Sequence, residues 1–275
     1  MICAWESLIA IIPLWLRPDL HKLDQNSIQE IRLRIHAPPE VVTEHGPVWL
    51  PGQIHPRDLK FIINTASRYS PWATSGISQG YLTAPGGHRI GICGDVSVQQ
   101  GHIHAFQEIH SVNIRIAHDL QGIAGSNPSS WDSLLVIGAP GWGKTTLLRD
   151  IAREISQKHT VSVVDERGEL FPEGFPRGKR MDVLSGCPKS IGISTVLRTM
   201  GPEYIAVDEI TEEVDTKALL QAAFCGVKLL ATAHGTSIQE IKCRKIYDPL
   251  WENRIFRTII RLRPDKTWHI EGLLS

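Results

Sequence analysis

The stretch Gly138-Ala139-Pro140-Gly141-Trp142-Gly143-Lys144-Thr145-Thr146 has the residue types and spacing for gripping phosphate. It fits G-x-x-x-x-G-K-[ST] at every position. Glycine is needed there because the main chain must curl round a phosphate with no side chain in the way. The freed amide hydrogens then point inward as an anion nest, and the N-terminus of the next helix adds partial positive charge. Lys144 is expected to reach the β- and γ-oxygens. The Thr145 hydroxyl is expected to hold Mg²⁺, and the ligand this chemistry implies is ATP. The competing reading is a glycine-rich turn with no ligand, but an apolar strand before the motif and an amphipathic helix after it favour the phosphate loop.

Acids and a histidine fall where the partners of such a loop belong. "YIAVD" ends in Asp208-Glu209. Asp208 is placed for a metal-bound water, and Glu209 for orienting or deprotonating an attacking water. The alternative for Glu209 is a helix-start carboxylate facing the dipole. "TVSVVD" ends in Asp165-Glu166, a second acidic pair, so Glu166 and Glu209 both stand as candidate bases, with a surface charge cluster as the alternative for the pair. "KLLATAH" ends in His234, a candidate contact to the γ-phosphate or the water, or else simply a satisfied polar residue. Arg198 is a candidate charge sensor or a helix-surface ion-pair partner.

Those residues require an open α/β sheet, whose ligands sit at the carboxyl ends of its strands. The second half of the chain alternates as that demands. "SLLVIG", "TVSVVD", "YIAVD" and "KLLATAH" are apolar runs separated by the helical patterns "KTTLLRDIAREISQ", "SIGISTVLRTM" and "VDTKALLQAAFC". Strands apolar on both faces predict a parallel sheet with helices on both sides. The tail "FRTIIRLRPDKTWHIEGLL" predicts two strands around a Pro-Asp turn. The first half mixes a half-buried strand ("IQEIRLRIH"), a helix ("PRDLKFIINTASR"), a strand–turn–strand unit ("GYLTAPGGHRIGICGDV") and a short strand ("SVNIRIA"), which reads as α+β. The Gly/Ser/Asn/Pro-rich segment 117–131 is a linker pattern. The expected organisation is an N-terminal α+β domain over 1–116, a linker over 117–131 and a phosphate-loop domain over 132–275.

Bulk composition is that of a soluble globular chain of 275 residues, 42% hydrophobic and 21% charged. Lys+Arg and Asp+Glu are 29 each, so there is no general attraction to nucleic acid or anionic membrane. Arg254, Arg257, Arg261 and Arg263 are the candidates for a local basic patch, or else a solvated face. Five cysteines with no C-x-x-C spacing suggest reduced cytosolic thiols. "LIAIIPLWL" is too short to span a bilayer and lacks signal-peptide flanks. It predicts a core or docking helix.

Taken together and in order, "GAPGWGKTTLLRDIAR", "VVDERGEL", "SGCPKS", "LRTMGPEYIAVDEI" and "LLATAHG", with "EIRLRI" and "QGYLTAPGGHRIGICGDV" upstream, resemble the stage III sporulation protein AA family over about residues 28 to 245. That family is similar to the ATPases of type II and type IV secretion. The resemblance implies a RecA-like core, a smaller N-terminal α+β domain and hexamers. It also implies an acidic box at Asp165-Glu166, a Walker B acid at Asp208-Glu209 and a histidine box at Thr232-Ala233-His234-Gly235. By the same resemblance Arg89 and Arg115 are the N-domain arginines carried to the nucleotide. Thr211 departs from the glycine expected after the acids. The implied role is a mother-cell cytoplasmic ATPase, peripheral at the membrane face, attached to membrane-bound channel proteins between mother cell and forespore.

The expected function is therefore a motor ATPase using Mg·ATP, with no nucleic-acid partner. Its rivals are a nucleic-acid-dependent ATPase on the same core, a non-catalytic nucleotide switch and a small-molecule kinase. Zero net charge and the lack of a recognisable nucleic-acid module count against the first rival.

Overall fold

The computed structural model describes residues 2–3, 5–67, 80–99, 102–125 and 131–273. Two compact units emerge. One runs to Asp119 and takes in Pro172–Phe175; the other holds Leu120–Phe171 and Pro176 onward. Within the linker pattern 117–131, residues 126–130 lie outside the described residues.

The N-terminal unit contains β1 (Ile2–Cys3), α1 (Trp5–Ile11), α2 (Arg17–Leu20), β2 (Ile28–Arg34), β3 (Glu40–Thr43), β4 (Gly46–Trp49), α3 (Pro56–Ala66), β5 (Tyr81–Thr83), β6 (Arg89–Gln99), β7 (His102–Arg115) and β8 (His118–Asp119). β1 and β8 pair on their own, while the other six strands form a sheet in the order β4-β3-β2-β7-β6-β5. All its pairings are antiparallel. Period-two alternation explains the packing. Ile31 and Leu33 on β2, Ile90 and Ile92 on β6, and Val112 and Ile114 on β7 are buried with Leu8, Leu59 and Ile62 of the helices. Arg32 and Arg34, between those positions, stand on the other face. α3 starts where Pro56 supplies a helical φ and Asp58 accepts the His55 N–H at 2.8 Å. "LIAIIPLWL" does form a helix, but it stops at Ile11 before Pro13. "SVNIRIA" proves to be the end of the 14-residue β7.

The second unit contains β9 (Leu134–Gly138), α4 (Lys144–Ile155), β10 (Val161–Asp165), β11 (Met181–Ser185), α5 (Lys189–Thr199), β12 (Tyr204–Val207), α6 (Glu213–Phe224), β13 (Lys228–His234), α7 (Ile238–Lys242), α8 (Asp248–Glu252), β14 (Thr258–Leu262) and β15 (Trp268–Leu273). Its seven strands run in the order β11-β10-β12-β13-β9-β14-β15. All neighbours are parallel except the last pair, β14 and β15, which forms the antiparallel tail. Successive residues of one strand feed two different cores. Leu134 and Val136 pack with Leu147, Leu148 and Ile151 of α4. Leu135 and Ile137 pack on the side of Ile193 (α5) and Leu219 (α6). Each such side chain contributes about 1.5–3 kcal/mol on burial, which is why these strands read as continuous apolar runs.

The described start of the linker pattern is tied down. Asp150 of α4, fully buried, accepts the N–H groups of Gly122 (3.2 Å) and Ala124 (2.8 Å) and pairs with Arg153 at 3.1 Å.

Candidate active site

The C-terminal ends of β9, β10, β12 and β13 bring the sequence-selected residues of the second unit to one edge of the sheet. After β9 the chain turns through Ala139, Pro140, Gly141 and Trp142 into α4. Gly141 has φ 78° and Gly143 φ 100°, both in the left-handed region where a Cβ is strained. No heavy atom lies within 4 Å of where a Cβ of either would stand, so these glycines serve backbone shape and leave the loop open. Gly143 is also the N-cap of α4, and it offers no side-chain cap. The first amides of that helix thus receive no side-chain cap from it, the arrangement that suits an anion at a helix N-terminus. Lys144, Thr145 and Thr146 form the first turn.

The side chains form one connected network. Lys144 is buried, 6% exposed. Its Nζ donates to the Ala139 carbonyl at 3.1 Å and lies 2.9 Å from His234 Nδ1. His234 Nε2 lies 2.9 Å from Glu209 Oε1. An ammonium donating to Nδ1 fixes the ring proton on Nε2, from which it is donated to Glu209. On the other branch, Thr145 Oγ1 donates to Asp208 Oδ2 at 2.7 Å, and Thr232 Oγ1 donates to Asp208 Oδ1 at 2.7 Å. Thr232 Oγ1 also accepts the Glu209 N–H at 2.8 Å, which closes the circuit. Glu209 itself has φ 46°, an unusual conformation for a residue with a Cβ and one that collects at functional sites.

Burial pushes the Lys144 ammonium below the usual lysine pKa, opposed by the carboxylates of Asp208 and Glu209. Tyr247, buried behind the site, is pushed up to about 12 by burial, and its hydroxyl donates to the Ile210 carbonyl at 2.9 Å. That bond anchors the chain directly after Glu209. Arg244 donates to the His234 carbonyl at 2.6 Å, and Gly235 N–H donates to the Gly138 carbonyl at 3.3 Å. The histidine strand is thereby registered against the start of the loop.

The paired Thr145 hydroxyl and Asp208 carboxylate are hard oxygen donors, the type a small divalent cation such as Mg²⁺ prefers. Their 2.7 Å separation fits two ligands of one ion, or one ligand and a carboxylate on an ion-bound water.

The other candidates have partners of their own. Asp165 is buried, and its two oxygens accept the N–H groups of Glu169 and Phe171, both at 2.9 Å. It shapes the turn after β10. Glu166 is held by the Lys189 ammonium. Arg198 is exposed on α5, with Nε donating to the Ser194 carbonyl at 3.1 Å. Arg89 and Arg115 belong to the N-terminal unit, opposite one another on β6 and β7. The Arg89 guanidinium lies 4.4 Å from the Tyr81 ring centroid, and Arg115 lies 3.4 Å from Glu30. No sequence motif marks the part played by Lys189, and only the resemblance marks Thr232. Lys189 did leave a signal: a lysine opening a helix faces the positive end of the dipole, so a carboxylate partner is called for.

A largely parallel α/β sheet with a glycine loop between β9 and a helix, and acids at the end of β12, one strand away across β13, defines a RecA-like P-loop core in a chain that also carries a smaller N-terminal α+β unit. Solved structures carry the same fold. The ATPase DotB of Legionella pneumophila matches 94% of this chain and 79% of its own, with TM-score 0.63 and 18% identity. The pilus retraction motor PilT, solved with bound ADP, matches 86% of this chain and 74% of its own, with TM-score 0.61 and 17% identity. Residues 7–274 match the family described as "Sporulation stage III, protein AA". The chain is 39% identical over 252 residues to the Stage III sporulation protein AA of Bacillus subtilis (strain 168), covering 86% of this chain and 82% of that protein. The chain belongs to this family. Among the described residues, no helix is long and apolar enough to cross a membrane.

Proposed function

We propose that this chain is an ATP-hydrolysing motor ATPase of the secretion type, serving a channel complex between mother cell and forespore during sporulation. The observation that carries the reading is the single hydrogen-bond network joining Lys144, Thr145, Asp208, Glu209 and His234. The first amides of α4 and the loop Gly138–Thr146 bind the phosphates. Two of the three Lys144 N–H groups are engaged by Ala139 and His234, and the third is directed to a phosphate oxygen. Thr145 and Asp208 hold Mg²⁺, which supplies charge neutralisation on the β- and γ-oxygens when bound.

Of the two candidate bases, Glu209 is preferred. It is wired through His234 to the phosphate-gripping lysine, whereas Glu166 is engaged by Lys189. Glu209 orients the attacking water, and His234 holds its carboxylate in place. Arg89 and Arg115 supply further positive charge from the N-terminal domain, within a hexamer attached to membrane-bound channel proteins. The test is phosphate release from Mg·ATP by the purified chain. Wild type is expected to turn over, and Lys144→Ala to lose about a hundredfold or more. Turnover by Lys144→Ala near the wild-type rate overturns the assignment.

A further inference from the structure

Lys189 lies outside the phosphate-loop network, and the reading above uses it only as the partner of Glu166. It is the first residue of α5, where an ammonium meets the unfavourable end of the helix dipole. Its side chain is only 6% exposed, an environment costly for an unpaired ammonium. Two carboxylates compensate. Glu166, on the residue after β10, bonds Nζ directly, and Asp215 Oδ2 lies at 3.8 Å. Asp215 in turn caps α6. Its Oδ2 accepts from the N–H of Glu212 at 3.3 Å and of Thr211 at 3.4 Å. Thr211 and Glu212 are the residues that carry the chain from Glu209 and Ile210 into α6. One ammonium therefore ties the end of β10 to the segment that follows the proposed water-orienting carboxylate.

The backbone is built to permit this. Gly192, one turn along α5, sits so close to β10 that a Cβ there would stand 2.4 Å from Val164 Cγ1 and 3.1 Å from Cys187 Sγ. Only glycine lets α5 approach the strand that ends in Asp165-Glu166. β10 and β12 are neighbours, with Val164 opposite Val207 as their last paired residues. Their acidic ends, Asp165-Glu166 and Asp208-Glu209, thus leave the sheet side by side.

From this juxtaposition we infer that Lys189 is a positioning residue for hydrolysis. It withdraws Glu166 from water activation and fixes the start of α6, so that Glu209 keeps its place opposite the phosphate loop. This rests on the proposed ATPase activity, and it deepens that reading by naming a residue that acts without touching nucleotide. Lys189→Met leaves the buried Asp215 carboxylate without its ammonium and is expected to lower Tm, whereas a small displacement of a catalytic group can cost up to about a hundredfold in rate. The split of kcat against KM in folded protein, and rescue by Lys189→Arg, therefore separate positioning from stability.

The experiment measures kcat, KM for ATP and Tm for wild type, Lys189→Met, Lys189→Arg, Gly192→Ala and Lys189→Met/Glu166→Gln. Lys189→Met is expected to lower kcat by about tenfold or more while KM stays within about twofold. Lys189→Arg restores most of the rate, and the double variant is no slower than Lys189→Met alone. Gly192→Ala keeps every charge but lifts α5 from β10, and it shows the same kcat-selective loss even if Lys189→Met fails to fold. A wild-type kcat in folded Lys189→Met or Gly192→Ala overturns the inference, as does a Lys189→Arg chain as slow as Lys189→Met. A wild-type chain that releases no phosphate refutes the ATPase reading itself and this inference with it.

Discussion

The two units build sheets from the same residue types and use them in opposite ways. In the N-terminal unit an antiparallel sheet packs one face on α1 and α3, and it turns the other, with Arg32 and Arg34, to salt bridges with Glu30 and Glu40. In the second unit the central strands are sealed on both sides, each feeding two cores with alternate residues. A strand covered on both faces can present chemistry only at its ends. The glycine loop, Asp208-Glu209 and His234 all lie at such ends, and the sealed strands behind them fix their spacing. The contrast teaches that a rigid, doubly covered sheet is the platform for precise placement, whereas a one-sided sheet offers a broad polar surface.

This contrast can be broken by mutation. Ile205 is fully buried in β12, the strand that leads into the acids. Ile205→Ala is expected to cost about 2–5 kcal/mol, read from urea unfolding. Arg34 pairs with Glu40 at 2.6 Å, with its side chain 46% exposed. Arg34→Ala is expected to cost less than about 1 kcal/mol. Equal costs at the two positions would erase the distinction between the sealed and the open sheet.

The smallest effect is one of pH. Burial holds the Lys144 pKa in the folded chain below the lysine value of 10.5, so the unfolded chain binds that proton more tightly. Stability from this group therefore rises with pH between the folded and unfolded values. Lys144→Met removes the buried charge. It should be more stable than wild type at neutral pH, with an advantage that shrinks as pH climbs through the alkaline window towards 10.5. Melts at several pH values check the sign, and an advantage that grows with pH contradicts it.

Much of this arrangement is legible in the residues alone. The runs around Leu135, Val163, Ile205 and Leu230 announce a doubly covered parallel sheet because both faces must be apolar. The alternation of Ile31 and Leu33 with Arg32 and Arg34 announces a one-sided strand for the same reason in reverse. The phosphate loop is legible because its chemistry needs consecutive residues. β11 is not: Met181–Ser185 is only partly covered, with burial that follows no simple period. The four-residue strands β3 and β4 are also too short to show one. The grip of Lys189 on Glu166 and Asp215 joins side chains 23 and 26 residues apart, and the bridging of Asp208 by Thr145 and Thr232 joins side chains 63 and 24 residues apart. No local pattern encodes such contacts; they follow from strand order.

The central claim is that Gly138–Thr146 holds nucleotide phosphate, with Thr145 and Asp208 ready for a divalent ion. Calorimetric titration of the folded chain with ATP, with and without magnesium, tests it most directly. The account predicts saturable binding that tightens with magnesium and is severely weakened in Lys144→Ala. Absence of binding by folded wild-type protein, or equal binding by Lys144→Ala, would contradict it.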